Sequence, residues 1–174
     1  MLTQTHHHRL LTAGLVLALV SLAMAAPSRA QVAAEGTFEG NWDLSGYAET
    51  VAMDDGEISV MKLEGPVRIT SAASGLAREF DSVCAGVSDK KTGGIGRCVW
   101  TDGDGDTLLV ELSGSIIGPA GTSREALGVV AGGTGKYADI KGSFDVDWLF
   151  IESVLEPGKV MGRDTKFTGA WWTP

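Results

Sequence analysis

The chemistry open to this chain is bounded first by a missing residue type. All three histidines, His6, His7 and His8, stand in the first ten residues, and residues 31–174 contain none. Ser-His-Asp and Cys-His nucleophile schemes are therefore excluded downstream, as are zinc or iron sites held by imidazole. Acid–base work would fall to carboxylates, lysines or the two tyrosines, Tyr47 and Tyr137. One acidic run invites a calcium reading, because Asp102-Gly103-Asp104-Gly105-Asp106 alternates carboxylates like the first half of an EF-hand loop. The second half fails: Thr107 replaces the turn glycine, Ser113 stands where the bidentate glutamate belongs, and Leu108 to Leu112 has a strand pattern. The run predicts a hairpin turn with a solvated acidic tip, and no metal or other cofactor is expected. Glu39, Asp43 and Glu111 are candidates for a working buried carboxylate, although each is expected to face solvent, since carboxylates are seldom buried unpaired.

Cys84 and Cys98 are the only cysteines. Their spacing is not that of a C-x-x-C redox pair, and no histidine lies near them to complete a metal site. If the runs Leu76–Val87 and Gly96–Asp102 form an antiparallel hairpin, residues whose numbers sum to 182 face each other. Cys84 is then opposite Cys98, Ser82 opposite Trp100 and Phe80 opposite Asp102. A bridge between opposed strand residues is sterically feasible, and an oxidising compartment would keep it closed.

That compartment is suggested by the first thirty residues. Arg9 and the histidines precede an apolar run from Leu10 to Ala26, followed by small-x-small sites that predict signal-peptide cleavage after Ala25 or Ala30. A signal anchor is the rival reading; the run is short and no basic stop-transfer cluster follows it. Removing Arg9 and Arg29, with no acid in the segment, takes the formal charge from -8 to -10. Such a surface repels phosphate backbones and anionic headgroups, so neither nucleic acid nor membrane is an expected partner of a periplasmic or secreted product.

The remaining 31–174 is one domain in size and lacks a helical period. Period-two runs predict strands at Gly36–Leu44, Glu57–Thr70, Leu76–Val87, Gly96–Asp102, Asp106–Ile117, Ser123–Ala131, Ile140–Glu152 and Val160–Trp172. Turn signals separate them, including Asp54-Asp55-Gly56, Ser74-Gly75, Gly118-Pro119-Ala120-Gly121 and Glu156-Pro157-Gly158. Eight antiparallel strands close most naturally up-and-down, because an open sheet leaves two aggregation-prone edges. The ends echo each other in Phe38-x-Gly40-x-Trp42 and Phe167-x-Gly169-x-Trp171, as expected if the first and last strands lie side by side. An open two-sheet sandwich is the fold alternative.

The stretch Gly128–Asp147 is organised around glycines: Val129-Val130-Ala131 meets Gly132, Gly133 and Gly135, then a second alternating run starts at Ile140. It predicts strand, glycine corner, strand, with positive φ at Gly133 or Gly135. The corner lacks the spacing and the Lys-Ser/Thr end of a phosphate loop, and a strand follows it. Ile140, Gly142, Phe144, Val146, Trp148 and Phe150 share one face, expected to line the interior together with Trp100.

The run S-R-E-A-L-G-V-V-A-G-G-T-G-K-Y-A-D-I-K-G-S-F resembles the penultimate-strand region of the dirigent and allene oxide cyclase-like barrels. The resemblance implies an all-β, calycin-like or allene oxide cyclase-like, eight-stranded antiparallel barrel with a hydrophobic cavity, often as a dimer or trimer. It carries no activity by itself. Plant dirigents place an arginine where Lys141 stands here, and lysine lacks the planar fork of that group. The leading expectation is an exported barrel that holds a small hydrophobic molecule in its cavity, with Trp100, Phe144, Trp148, Lys141 and Glu39 as lining residues. A cyclase or isomerase acting by substrate preorganisation is the enzymatic alternative. A structural or interaction domain with a filled core is the third.

Overall fold

The computed structural model describes residues 32–72, 75–89, 91–114, 123–152 and 155–174, without the side chains of 123, 124 and 150–152. The expected signal peptide, the expected end of the fifth strand at Ile117 and the turn expected at Gly118-Pro119-Ala120-Gly121 lie outside the described residues. Within them the strands are β1 (Glu35–Met53), β2 (Gly56–Ala72), β3 (Glu79–Asp89), β4 (Gly93–Asp102), β5 (Thr107–Gly114), β6 (Ser123–Gly133), β7 (Lys141–Glu152) and β8 (Lys159–Trp172). Each pairs antiparallel with the next, and β8 returns to β1, closing an up-and-down barrel rather than a sandwich.

The hairpin arithmetic holds: Cys84 pairs with Cys98, Ser82 with Trp100 and Phe80 with Asp102. The two cysteines are joined as a disulfide across β3 and β4. The repeated aromatic motif has a packing reason. Phe38 stands opposite Gly169, and Gly40 opposite Phe167, so each ring lies over the bare backbone of the facing strand. A Cβ at Gly40 would sit 2.5 Å from the Phe167 ring, and one at Gly169 would sit 2.7 Å from the Phe38 ring. Gly128 makes the same room for Phe144 across β6 and β7. Small and large residues interlock across the seam, and this packing fills the barrel.

Several boundaries differ from the sequence reading, most of all the end of the first strand. β1 continues to Met53, because Gly46 lies within the strand: it pairs with Leu63, and a Cβ there would strike the Lys62 carbonyl at 2.0 Å. Here glycine answers a close strand approach and not a turn. β3 starts at Glu79, and Leu76 and Ala77 pack against the core from the connection before it.

The corner after β6 is a single 3-10 turn, Gly135–Tyr137. Gly135 has φ +54°, and Gly132 has φ +152°. Gly133 is held by space instead, since a Cβ would meet the Thr107 carbonyl at 2.2 Å.

Candidate functional site

The inward face of β7 carries Phe144, Val146 and Trp148, all buried, and Trp100 shares that interior. Trp42 packs on both Trp100 and Trp148 with ring centroids 4.9 Å apart, and Trp100 lies 5.4 Å from Phe144. The Trp42 indole donates to Ser82 Oγ at 2.8 Å, which donates to the Gly65 carbonyl at 2.6 Å. Trp100 Nε1 is buried with no hydrogen-bond partner among the described residues, a cost of about 1–3 kcal/mol that the packing of its ring must offset. Beside this stack a void of about 20 Å³ is lined by Leu44, Met61, Leu63, Gly86, Gly96, Leu112 and Trp148, among others. That is room for about one water and far below the several hundred Å³ of a small-molecule site. The interior is therefore packed with aromatic rings at the level where a ligand was expected.

One end of the barrel is latched by a buried carboxylate. Asp102, its side chain 1% exposed, accepts Lys136 Nζ at 2.6 Å and Tyr137 Oη at 2.9 Å. It also accepts the backbone N–H groups of Asp104 at 2.9 Å and Asp106 at 3.0 Å. Burial would raise its pKa, but the lysine, the phenol and the two amides outweigh it and hold the carboxyl below the usual range. Burial also opposes the Lys136 ammonium, yet Asp102 and Asp104 keep its pKa above the ordinary lysine value. Tyr137 is pushed up by burial and by its bond to Asp102. Asp106 is buried as well and receives the Lys136 N–H at 3.3 Å. Gly135 is obligatory beside it, because a Cβ would fall 1.8 Å from the Asp106 carboxylate. The expected solvated tip is thus corrected: only Asp104 of the three acids faces water, while the other two bolt the β4–β5 hairpin to the glycine corner.

A second buried acid sits where β7 and β8 lose register between Asp145 and Leu149. Asp164 accepts the N–H of Asp147 and the N–H of Lys166, each at 2.7 Å, standing in for interrupted ladder bonds. Burial raises its pKa, partly opposed by those two amides. No alternation signal could have singled out Asp102 or Asp164, since each is one inward position on an otherwise regular strand. What distinguishes Asp102 is a partner from another hairpin, and what distinguishes Asp164 is the broken register with the facing strand of its own.

The outer wall of β3–β6 breaks the rule that outward positions are polar. Val83 and Val87 on β3, Ile95 and Val99 on β4, Leu109 on β5, and Leu127 and Val129 on β6 are all exposed, Ile95 at 70%. A patch of this breadth is a candidate interaction surface. With Val60 and Met61 of β2 this wall forms a concavity of about 610 Å³, whose charged members are Arg97 and Glu111. These two pair at 3.0 Å on adjacent strands, with the arginine side chain 84% exposed, so the pair itself adds little stability. Gly86 and Gly96, directly opposed, line both this concavity and the small void, together with Met61, Ala85 and Leu112, so the two spaces adjoin there.

Of the expected lining residues, Trp100, Phe144 and Trp148 come together in the core. Lys141 is half-buried, donating Nζ to the Ala131 carbonyl beside the corner. Glu39 is on the outer face, 3.8 Å from Lys166. Asp43 is likewise on the outside, paired with Arg163, and Glu111 belongs to the apolar wall. The outer-wall residues Val87, Ile95, Arg97 and Val129 were missed by a reading that looked for ligands only on inward faces. Searched against family models, curated proteins and solved structures, the chain matches none.

Proposed function

We propose that the protein is an exported binding barrel, allied to the dirigent and allene oxide cyclase-like barrels by its glycine corner, that takes a small apolar molecule on its outer wall. The single observation that carries this reading is the concavity of about 610 Å³ on β2–β6, lined mainly by Val60, Met61, Val87, Ile95, Leu112 and Val129. Its size falls in the range of small-molecule sites, and Arg97 with Glu111 supplies the few polar groups that would orient a ligand. The packed tryptophan stack argues against the interior as the seat. Export is supported by the targeting segment and is compatible with the disulfide. A cyclase or isomerase would need a buried carboxylate open to substrate, whereas Asp102 and Asp164 are engaged by bonds within the fold.

Native mass spectrometry of the folded protein purified from its source tests this, together with titration by the apolar fluorophore diphenylhexatriene. A co-purifying small molecule and saturable dye binding that is lost in Val87→Lys but kept in Trp148→Ala are expected. Dye binding lost in Trp148→Ala but kept in Val87→Lys would return the ligand to the interior, and no binding of either kind would sink the reading.

A further inference from the structure

The geometry points to the apolar wall as the contact face of a twofold dimer of this chain. Strand register places its outward residues in rows across β3, β4, β5 and β6: Val83–Val99–Leu109–Gly132, Ala85–Arg97–Glu111–Val129 and Val87–Ile95–Ser113–Leu127. A twofold axis lying in the contact plane, parallel to the strands and between β4 and β5, exchanges β4 with β5 and β3 with β6. Each row then meets itself reversed. Val99 faces Leu109 of the second copy, Val87 faces Leu127, and Ala85 faces Val129. Arg97 of each copy comes over Glu111 of the other. The exposed ion pair that contributes little within one chain becomes two cross-chain pairs desolvated at the centre of the contact.

Charge selects a second copy of this chain over other occupants. The chain carries a formal charge of -8, so most faces of two copies repel. The outward positions of β7, β8 and β1 include Glu39, Asp43, Asp145 and Asp147 against Arg163 and Lys166. The three rows of the β3–β6 wall are neutral, one arginine against one glutamate with Glu79, Asp81 and Glu125 outside them, and their charges are complementary under the twofold. The wall's concavity also lets two barrels approach more closely than convex walls would. The pairing rests on the reading above in one respect: the open groove becomes a chamber between copies, which would enclose the apolar molecule.

Sedimentation velocity and native mass spectrometry of ligand-stripped protein test the pairing, with circular dichroism to verify that each variant is folded. Wild type is expected at twice the monomer mass. Arg97→Glu alone and Glu111→Arg alone should be monomeric, each placing like charges across the axis twice. An equimolar mixture of the two variants should recover the doubled mass, because each then supplies the other's complement. A monomeric or trimeric wild type would overturn the proposal, as would a dimer that persists in either single variant or a mixture that stays monomeric. Diphenylhexatriene titration of monomeric Arg97→Glu reports separately on the groove, so loss of the dimer and loss of the ligand reading are distinguishable.

Discussion

Two adjoining concavities of the barrel, which meet at Ser113, are close in size and opposed in chemistry. The one on β2–β6 holds about 610 Å³ and is lined by Val60, Val87, Ile95, Leu112 and Val129. The other, on β5–β8, holds about 550 Å³ and is lined by Glu125, Asp145, Asp147, Lys166 and Thr168, among others. Both rest on one aromatic core, so the difference does not come from folding demands. A barrel wall that faces water needs apolar residues only inward; Glu125, Asp145, Asp147 and Lys166 follow that rule, although Leu127 reaches the same groove. The valines and leucines outside β3–β6 answer to something other than the core. Volume alone would not separate the two grooves; the residues that violate alternation do.

The largest effects should come from the frame on which both walls hang. Asp102→Ala removes the acceptor for Tyr137 and the partner of Lys136, whose side chain is only 12% exposed. A loss of about 3–5 kcal/mol is expected in denaturant unfolding, since it strands buried polar groups. The same carboxylate predicts a pH dependence with a definite sign. Its folded pKa is depressed, so its contribution is present above the ordinary aspartate range and is lost as pH falls through the lowered value. Asp164 runs the other way: its raised pKa favours the fold in acid, and that contribution is lost as pH rises through its folded value. Asp102→Asn should therefore flatten the acid limb of the stability curve, and an unchanged limb would show that the latch does not titrate as described.

Replacing both Cys84 and Cys98 with serine frees β3 from β4 beneath the apolar wall alone. The 14-residue separation predicts a cost of about 3 kcal/mol, with hydrogen exchange accelerated first in β3 and β4 and not in the charged wall. Equal exchange in both walls would deny the bridge a local role. Gly135→Val, at φ +54° and against Asp106, should lose more than about 1 kcal/mol in thermal melting. A wild-type melting temperature would mean the corner can move aside. The smallest effect sharpens the contrast most: added to monomeric Arg97→Glu, Ile95→Ser should change stability by no more than about 0.5 kcal/mol. A large loss would make the exposed apolar wall a structural element instead of a binding surface.

The fold was legible because its signals are local. Alternation placed the strands, the sum rule set the β3–β4 register, and two copies of one aromatic motif marked the seam between β1 and β8. The corner was legible for the same reason, with Gly135 at positive φ. The candidate site was not. Asp102 looks like one acid in a flexible turn until β4–β5 is set beside the β6–β7 corner, which brings Lys136 to it from 34 positions away. The packed interior was hidden too, because periodicity says which side chains point inward but not whether their volumes leave a space. The outer valines were in plain view, but a pattern read only for its inward phase discards them.

The central claim is that this barrel works through the wall of β3–β6 and not through its interior or its charged wall. Amide chemical-shift mapping by NMR during titration with diphenylhexatriene tests it most directly. The account predicts concerted shifts at Val87, Ile95, Arg97, Glu111 and Val129, with Asp145, Asp147 and Thr168 unmoved and the indole N–H signals of Trp42, Trp100 and Trp148 in place. Shifts centred on those three indoles, or on the charged groove, would contradict it.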